Sequence, residues 1–213
     1  MRQQNIRSFA PRLIIMVKEP IAGRVKTRLA KGIGSVSATA AYRNMLTSLV
    51  ARLANDPRWI TVLAVSPDMA TASRMLPNKA ARISQGGGDL GQRLQRVTHK
   101  CGRGPVVVIG TDSPSVMPSD IASAFEALGS HDAVLGPSRD GGYWLVGLKR
   151  CPRTPRVFDN VRWSTEHTLS DTRANLAGHS LVLLGVHSDV DEQADLQAMR
   201  HMIGRRILPT RAF

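Results

Sequence analysis

Cysteine is scarce in this sequence, and its placement excludes two classes of small protein. The 213 residues include two cysteines, Cys101 and Cys151, which belong to no C-x-x-C pair. A disulfide-stapled scaffold or a cysteine-rich zinc module would need more cysteines at closer spacing. Such low cysteine usage fits a reducing compartment, and we expect a cytoplasmic protein.

Long apolar stretches are also missing. The longest runs are Leu13–Val17, Val106–Ile109 and Leu181–Leu184. A membrane-spanning helix needs about 20 apolar residues. The sequence therefore predicts no membrane span.

Acidic and aromatic residues are few, and basic residues dominate. Asp and Glu total 16 against 29 Lys and Arg, which gives a formal net charge of +13. This excess favours a polyanionic partner, such as nucleic acid, a membrane surface or a phosphorylated small molecule, although an arginine-rich soluble surface would look the same. Nine aromatic residues are too few for a base-stacking surface, and there is no zinc-finger spacing. We therefore expect no nucleic-acid partner.

Strand-like and helix-like segments alternate along the chain. This order predicts an α/β fold of three layers, α/β/α, around a mostly parallel sheet. We expect one domain over residues 1–213, with a core of about 12–204. The predicted strands are Leu13–Val17, Ile60–Val65, Ala81–Ser84, Pro105–Ile109, Ala133–Leu135, Tyr143–Leu148 and Leu181–Val186. The predicted helices are Ser35–Ala54, Asp68–Leu76, Leu94–Cys101, Ile121–Leu128 with Pro118 at its start, Ser164–Ala177 and Asp191–Ile203.

The loop Lys18–Arg28 follows the first predicted strand and carries a cluster of cations. Arg24, Lys26 and Arg28 could neutralise phosphate oxygens, and Gly23 permits a close backbone approach. The loop contains neither G-x-x-x-x-G-K-[ST] nor G-x-G-x-x-G. Ligands of parallel sheets bind beyond the carboxyl ends of the strands, so this loop is a candidate phosphate site; a solvated basic loop is the alternative.

Three more polar or glycine-rich segments follow predicted strands: Gln85–Gly91, Thr111–Pro114 and Arg139–Gly142. Asp112 could hold a hard divalent cation beside a phosphate, or it could form an Asx-type turn. The glycines of Gln85–Gly91 suit either a base-contacting loop or a flexible hinge. Near the end of the chain, Asp191 could supply a second metal ligand or cap a helix.

Taken in order, these motifs resemble a bacterial glycosyltransferase-like family related to phospholactate guanylyltransferase, which includes radical-SAM-associated and arsenosugar-biosynthesis transferases. The segments that carry the resemblance are Met16–Pro20, Gly23–Leu29, Gly88–Gly91, Gly110–Pro114, Gly136–Pro137, Asp140–Tyr143, Gly147–Leu148, Trp163–Thr165, Asp189–Asp191 and Asp195–Leu196.

The resemblance implies the nucleotide-diphospho-sugar transferase (GT-A) fold, with Mg²⁺ or Mn²⁺ as cofactor. It implies metal ligation by Asp112 and Asp191, and catalytic roles for Lys26, Asp112 and Asp140. The implied acceptor-binding residues are Asp140, Gly141, Gly142 and Trp163. The implied nucleotide-binding residues are Lys18, Gly23, Arg24, Lys26, Thr27, Arg28, Gly87, Gly88, Asp89 and Asp112.

We therefore expect a metal-dependent transferase that moves a sugar from a nucleotide-activated donor to a small-molecule acceptor. A second version of the same chemistry is nucleotidyl transfer, in which an NTP loses pyrophosphate to a phosphorylated acceptor. A nucleic-acid-binding module and a catalytically silent nucleotide sensor are the alternatives from other classes.

Overall fold

A seven-stranded sheet forms the middle layer of the protein. The computed structural model describes residues 9–150, 154–187 and 195. The strands are β1 (Arg12–Lys18), β2 (Ile60–Ser66), β3 (Ala81–Ser84), β4 (Val106–Ile109), β5 (Ala133–Pro137), β6 (Tyr143–Leu148) and β7 (Leu181–Leu183). The helices are α1 (Thr27–Ile33), α2 (Ser35–Leu53), α3 (Leu90–Lys100), α4 (Pro118–Ser130) and α5 (Thr168–Asn175), and Asp68–Ala72 forms a short 3₁₀ helix.

The strands lie in the order β3-β2-β1-β4-β6-β5-β7. All neighbouring pairs are parallel except the two that involve β6, which runs antiparallel to both β4 and β5. The predicted mostly parallel α/β sheet is therefore confirmed.

Alternate side chains of each buried strand pack into two different apolar cores, one on each face of the sheet. On β1, Leu13 and Ile15 pack with α2 and α4 in one apolar cluster. Ile14 points to the other face and packs with α3. Because both faces of the sheet are covered, β1 reads as a continuous apolar run instead of an alternating one. The expected three layers follow from this arrangement.

Several predicted boundaries differ from the observed ones. The predicted helix Ser164–Ala177 begins only at Thr168, because the Thr165 and Thr168 hydroxyls bond the Arg162 carbonyl and hold a turn instead. Of the predicted helix Asp68–Leu76, only the five residues Asp68–Ala72 are helical, and they form a 3₁₀ helix. The strand predicted to reach Val186 ends at Leu183.

Helix α1 was not predicted. Gly34, with a φ of 81°, separates it from α2. The predicted final helix Asp191–Ile203 lies outside the described residues apart from Asp195.

Candidate functional site

The candidate loops meet at one edge of the sheet. Strands β1 to β4 are parallel, so the segments that follow them leave from the same side. The hairpin between β5 and β6 joins them there, because Ile109 at the end of β4 pairs with Leu145 near the start of β6. Topology thus brings the four polar segments of the sequence to a common edge.

Lys26 and Asp112 form an ion pair at this edge. The Lys26 Nζ lies 2.6 Å from Asp112 Oδ1, although 86 positions separate the two residues. The Lys26 side chain is 4 % exposed and that of Asp112 is 52 % exposed. The Lys26 amine is therefore enclosed by protein, while the Asp112 carboxylate remains accessible to solvent.

The backbone conformation of Lys26 is unusual. Its φ of 47° and ψ of 48° place it in the left-handed region, directly before α1. Val25 on one side is 3 % exposed, and Leu29 in α1 is completely buried. These two apolar anchors fix the loop, so that Lys26 turns inward toward Asp112 while Arg24 and Arg28 stay exposed.

A pocket of about 250 Å³ opens in front of this pair. Pockets for drug-sized ligands usually measure about 300–1,000 Å³, so this one suits the phosphate portion of a nucleotide. Of the residues predicted to bind nucleotide, Lys18, Lys26, Thr27, Arg28 and Asp112 line the pocket. Gly23 and Arg24 lie on the exposed bend of the same loop and are not among the lining residues. The further lining residues are Met16, Val25, Tyr42, Gly110 and Thr111.

Tyr42 has a polar role that sequence reasoning missed. Its hydroxyl accepts a hydrogen bond from the Lys18 N–H at 2.8 Å and donates one to the Lys18 carbonyl at 3.0 Å. Burial raises the pKa of this phenol, which stays protonated and able to donate. Tyr42 therefore fixes the start of the basic loop from the side of α2. In the sequence, Tyr42 is one of several apolar residues at helical spacing within Ser35–Ala54, which indicates only a core residue.

The glycine-rich segment Gln85–Gly91 is anchored by hydrogen bonds at its start. The Gln85 side chain is buried and donates hydrogen bonds to the carbonyls of Val17 and Ala64, which ties the segment to β1 and β2. The Arg96 guanidinium donates to the carbonyls of Gln85 and Gly87, both at 2.8 Å. The Gln85 contacts join residues 68 and 21 positions apart, so no local pattern could have revealed them.

The three predicted nucleotide-binding residues of this segment differ in environment. Gly87 is exposed, and a side chain there would meet no atom within 4 Å. A side chain at Gly88 would collide with Gln92. Asp89 accepts a hydrogen bond from the Gln92 N–H and caps α3. One Asp89 oxygen thus has a structural partner already.

The turn between β5 and β6 is organised around Asp140. Its Oδ1 accepts hydrogen bonds from the Ser138 hydroxyl at 2.5 Å and from the Gly142 N–H at 3.0 Å. Gly141 has a φ of 82°, and its carbonyl accepts from the Leu169 N–H. Asp140 itself is exposed at the common edge. We call the segment Ser138–Gly142 the Asp140 turn.

Trp163 is a packing residue in the structure. It packs against Tyr143 and Phe158, with ring centroids 6.4 Å and 6.3 Å away. It also closes over Gly91, where an added side chain would meet the indole nitrogen at 2.7 Å. Its contacts are those of a packing residue between β6 and the start of α3, and its predicted acceptor contact remains a prediction.

The predicted metal site has one described ligand. Asp112 offers an accessible carboxylate, whereas Asp191 lies outside the described residues. Within residues 9–150, 154–187 and 195, no three His, Cys, Asp or Glu side chains cluster to hold a metal. Mg²⁺ is often held by one or two carboxylates with substrate phosphates completing the shell. The one described donor, an accessible carboxylate, therefore fits a cation that arrives with a phosphorylated substrate.

Comparison with known proteins places the chain in a family. A family model matches residues 49–165, more than half of the chain; it is DUF2064, described as an uncharacterized protein conserved in bacteria. The chain belongs to this family. No curated protein matches the sequence of this DUF2064 member significantly.

Solved structures share the fold of the DUF2064 chain. A protein of Desulfovibrio desulfuricans G20, provisionally named a nucleotide-diphospho-sugar transferase, is 27 % identical with a TM-score of 0.84, over 92 % of this chain and 90 % of that one. CMP:2-keto-3-deoxy-manno-octonic acid synthetase in complex with CTP is 14 % identical, with a TM-score of 0.57 over 91 % and 98 % of the two chains. Rv0371c of Mycobacterium tuberculosis H37Rv, solved with manganese, is 16 % identical, with a TM-score of 0.51 over 90 % and 98 %.

These likenesses confirm the expected nucleotide-diphospho-sugar transferase fold and a GT-A-like transferase family. They support an enzyme of the transferase class. Among the described helices, none has the length and apolar character needed to cross a bilayer.

Proposed function

We propose that this DUF2064 protein is a metal-dependent glycosyltransferase that takes a sugar from a nucleotide diphosphate donor and passes it to a small acceptor. The Lys26–Asp112 pair carries the proposal, because it places a buried cation and an accessible carboxylate on one side of a phosphate-sized pocket. The likeness to the Desulfovibrio protein, which extends over nine-tenths of both chains, supports the choice of donor.

In this proposal the basic loop binds the diphosphate. Lys26 acts as a point charge at the base of the pocket, and Arg28 adds a guanidinium at its rim. The backbone that carries both residues is held before the substrate arrives, since Tyr42 and the apolar anchors fix the loop. Preorganised cations of this kind stabilise the negative charge that develops on a departing diphosphate.

Asp112 would hold Mg²⁺ or Mn²⁺ against the same diphosphate, and the cation would supply Lewis-acid stabilisation of the leaving group. Lys26 would have to share Asp112 with the cation, since its amine lies 2.6 Å from one carboxylate oxygen. Substrate phosphates provide the amine with a new partner. When the donor binds, Lys26 therefore leaves Asp112 and pairs with a substrate phosphate instead.

The Asp140 turn would receive the acceptor. It lies at the same sheet edge, and Asp140 is exposed there with one oxygen fixed by Ser138 and Gly142. A carboxylate held in this way can accept a proton from an acceptor hydroxyl. Asp140 is therefore our candidate for the general base.

Nucleotidyl transfer is the second candidate, and the charge of the basic loop favours it. Lys18, Arg24, Lys26 and Arg28 lie within eleven residues of one loop. The total positive charge of these four side chains exceeds the negative charge of a nucleotide diphosphate sugar and comes closer to that of a triphosphate. In this version an acceptor phosphate displaces pyrophosphate from an NTP, and the same cations bind the departing pyrophosphate.

Product analysis separates the two candidates. The protein is incubated with Mn²⁺, a panel of NDP-sugars or NTPs, and a pool of small phosphorylated and hydroxylated acceptors. Release of NDP supports glycosyl transfer, and release of pyrophosphate supports nucleotidyl transfer. Asp112→Asn should lower either release by about 100-fold, because a cation ligand on the leaving group is worth several kcal/mol. Turnover by Asp112→Asn at the wild-type rate would remove Asp112 from the mechanism.

A further inference from the structure

His187 lies where two segments of the candidate site meet. After β7 the chain continues along β5 and forms an isolated parallel bridge between His187 and Ser138. The His187 N–H donates a hydrogen bond to the carbonyl of Pro137 at 3.3 Å. The backbone of His187 therefore runs directly beside the first residue of the Asp140 turn.

The imidazole of His187 reaches the loop that carries Asp112. Its Nδ1 lies 3.1 Å from the hydroxyl oxygen of Ser115, which comes three residues after Asp112. Its Nε2 lies 3.7 Å from Asp120 Oδ2, at the start of α4. One side chain thus contacts both ends of the Ser115–Asp120 connection, while its backbone contacts the Asp140 turn.

A rigid partner fixes the ring. The His187 and Trp144 rings have centroids 4.4 Å apart, and Trp144 is buried within β6. The Trp144 indole N–H also donates to the carbonyl of Gly185, two residues before His187. The imidazole is therefore packed in place, and only 21 % of its side chain is exposed.

Ser115, His187 and Asp120 are the residue types of a hydrolytic triad, but their geometry does not suit that chemistry. The 3.7 Å between the imidazole and Asp120 is beyond hydrogen-bond distance. The same Asp120 oxygen accepts a bond from the Met117 N–H at 2.7 Å, so it serves as a helix cap. The arrangement suits a residue that positions its neighbours.

We propose that His187 is a positioning residue that holds the Asp112 loop against the Asp140 turn. This inference rests on the function proposed above, since it concerns how Asp112, proposed to act at the phosphates, is placed relative to the Asp140 turn, proposed to bind the acceptor. Without the imidazole, Ser115 loses this contact, and the loop after β4 loses its side-chain link to the strand segment beside the Asp140 turn. Asp112 would then face the pocket in a wider range of orientations.

The test uses three variants of the full chain. His187→Ala removes the ring, and His187→Asn keeps a polar atom near the position of Nδ1 for Ser115. His179→Ala is the matched control, because His179 also lies close to a carboxylate, with Nδ1 3.8 Å from Asp132 Oδ2, but follows α5 and precedes β7 at the opposite sheet edge. Two quantities are measured: hydrogen exchange of residues 110–117 and 138–142, and Mn²⁺ binding in the presence of pyrophosphate, followed by electron paramagnetic resonance.

We expect His187→Ala to speed exchange in both segments and to weaken Mn²⁺–pyrophosphate binding about tenfold, the size of effect usual for a supporting residue of a metal site. His187→Asn should restore binding to within about threefold of wild type, and His179→Ala should change neither quantity. Unchanged exchange in either segment of His187→Ala, or equal loss in the Ala and Asn variants, would overturn the positioning role. If the wild-type chain bound no Mn²⁺ with pyrophosphate, the proposed function would fail, and the exchange data would still decide whether His187 couples the two segments.

Discussion

At the scale of single residues, Lys26 combines two unusual properties. Its side chain is nearly inaccessible and paired with Asp112, and its backbone is left-handed. A left-handed conformation costs a non-glycine residue about 1–2 kcal/mol. The protein accepts this cost at the residue where a cation must turn inward from a surface loop.

Two substitutions of Lys26 separate charge from conformation. Lys26→Ala and Lys26→Gly both remove the amine, so both should weaken binding of a nucleotide diphosphate by at least about tenfold, as expected for loss of a charge-assisted contact. Glycine adopts the left-handed region without strain. The free energy of unfolding of Lys26→Gly should therefore be about 1 kcal/mol larger than that of Lys26→Ala, which makes the Gly variant the more stable one. Calorimetric titration and urea unfolding measure the two effects. Unchanged nucleotide affinity in both variants would contradict the phosphate role.

Tyr42→Phe tests whether the phenol supports the basic loop. The ring and its packing remain, but the Lys18 N–H and carbonyl lose their shared partner. We expect a loss of about 1 kcal/mol in unfolding free energy, the usual net value of a hydrogen bond. Nucleotide affinity should fall with it, because Lys18 lines the pocket. A variant that loses stability but binds nucleotide normally would show that Tyr42 serves the fold alone.

At the scale of elements, the structure positions its loops by contacts between distant segments. The Asp140 turn packs against the residues before α5, where a side chain added to Gly141 would overlap the backbone of Glu166. Gly178 has nearly the same φ, 81° against 82°, but an added side chain there would meet no atom within 4 Å. The two glycines therefore share a conformation and differ in surroundings.

This difference gives a matched pair of substitutions. Gly178→Ala should lower the unfolding free energy by about 1 kcal/mol, the cost of left-handed backbone strain. Gly141→Ala should cost clearly more, about 2–3 kcal/mol, because backbone atoms of Glu166 must also move. Urea denaturation of both variants measures the two losses in unfolding free energy. Equal losses would mean that the turn does not depend on its contact with Glu166.

The elements that sequence could predict are those with a strong local signal. Leu13–Val17 is an apolar run between Arg12 and Lys18, and Ile60–Val65 is a mostly apolar segment rich in β-branched residues; both are strands. Helix α1 was missed because its sequence is short and basic and buries only Leu29. The placement of the basic loop and Asp112 at one sheet edge was expected from topology, but their ion pair was not. The contact of His187 with Ser115 joins positions 72 residues apart and leaves no local trace in the sequence.

At the scale of the whole molecule, folding stability and ligand binding are linked. A ligand that binds only the native state at 100 times its dissociation constant adds about 2.7 kcal/mol of stability. For a chain of this length 1 kcal/mol corresponds to about 2–4 °C, so a matching nucleotide with Mn²⁺ should raise the melting temperature by about 5–10 °C. A scan of NTPs and NDP-sugars with and without Mn²⁺ measures this. If no nucleotide raises the melting temperature, the proposed donor class is wrong.

Strand β6 divides the sheet into two parts with different constraints. The basic loop and Asp112 follow β1 and β4, two adjacent interior strands of the sheet, so an insertion there would disturb the core. The Asp140 turn belongs to a simple hairpin whose two strands pair with each other. If the Asp140 turn receives the acceptor as proposed, sequence changes confined to this hairpin would alter the acceptor while the strands that position the basic loop and Asp112 stay unchanged. Exchange of the hairpin between two DUF2064 proteins would test that separation.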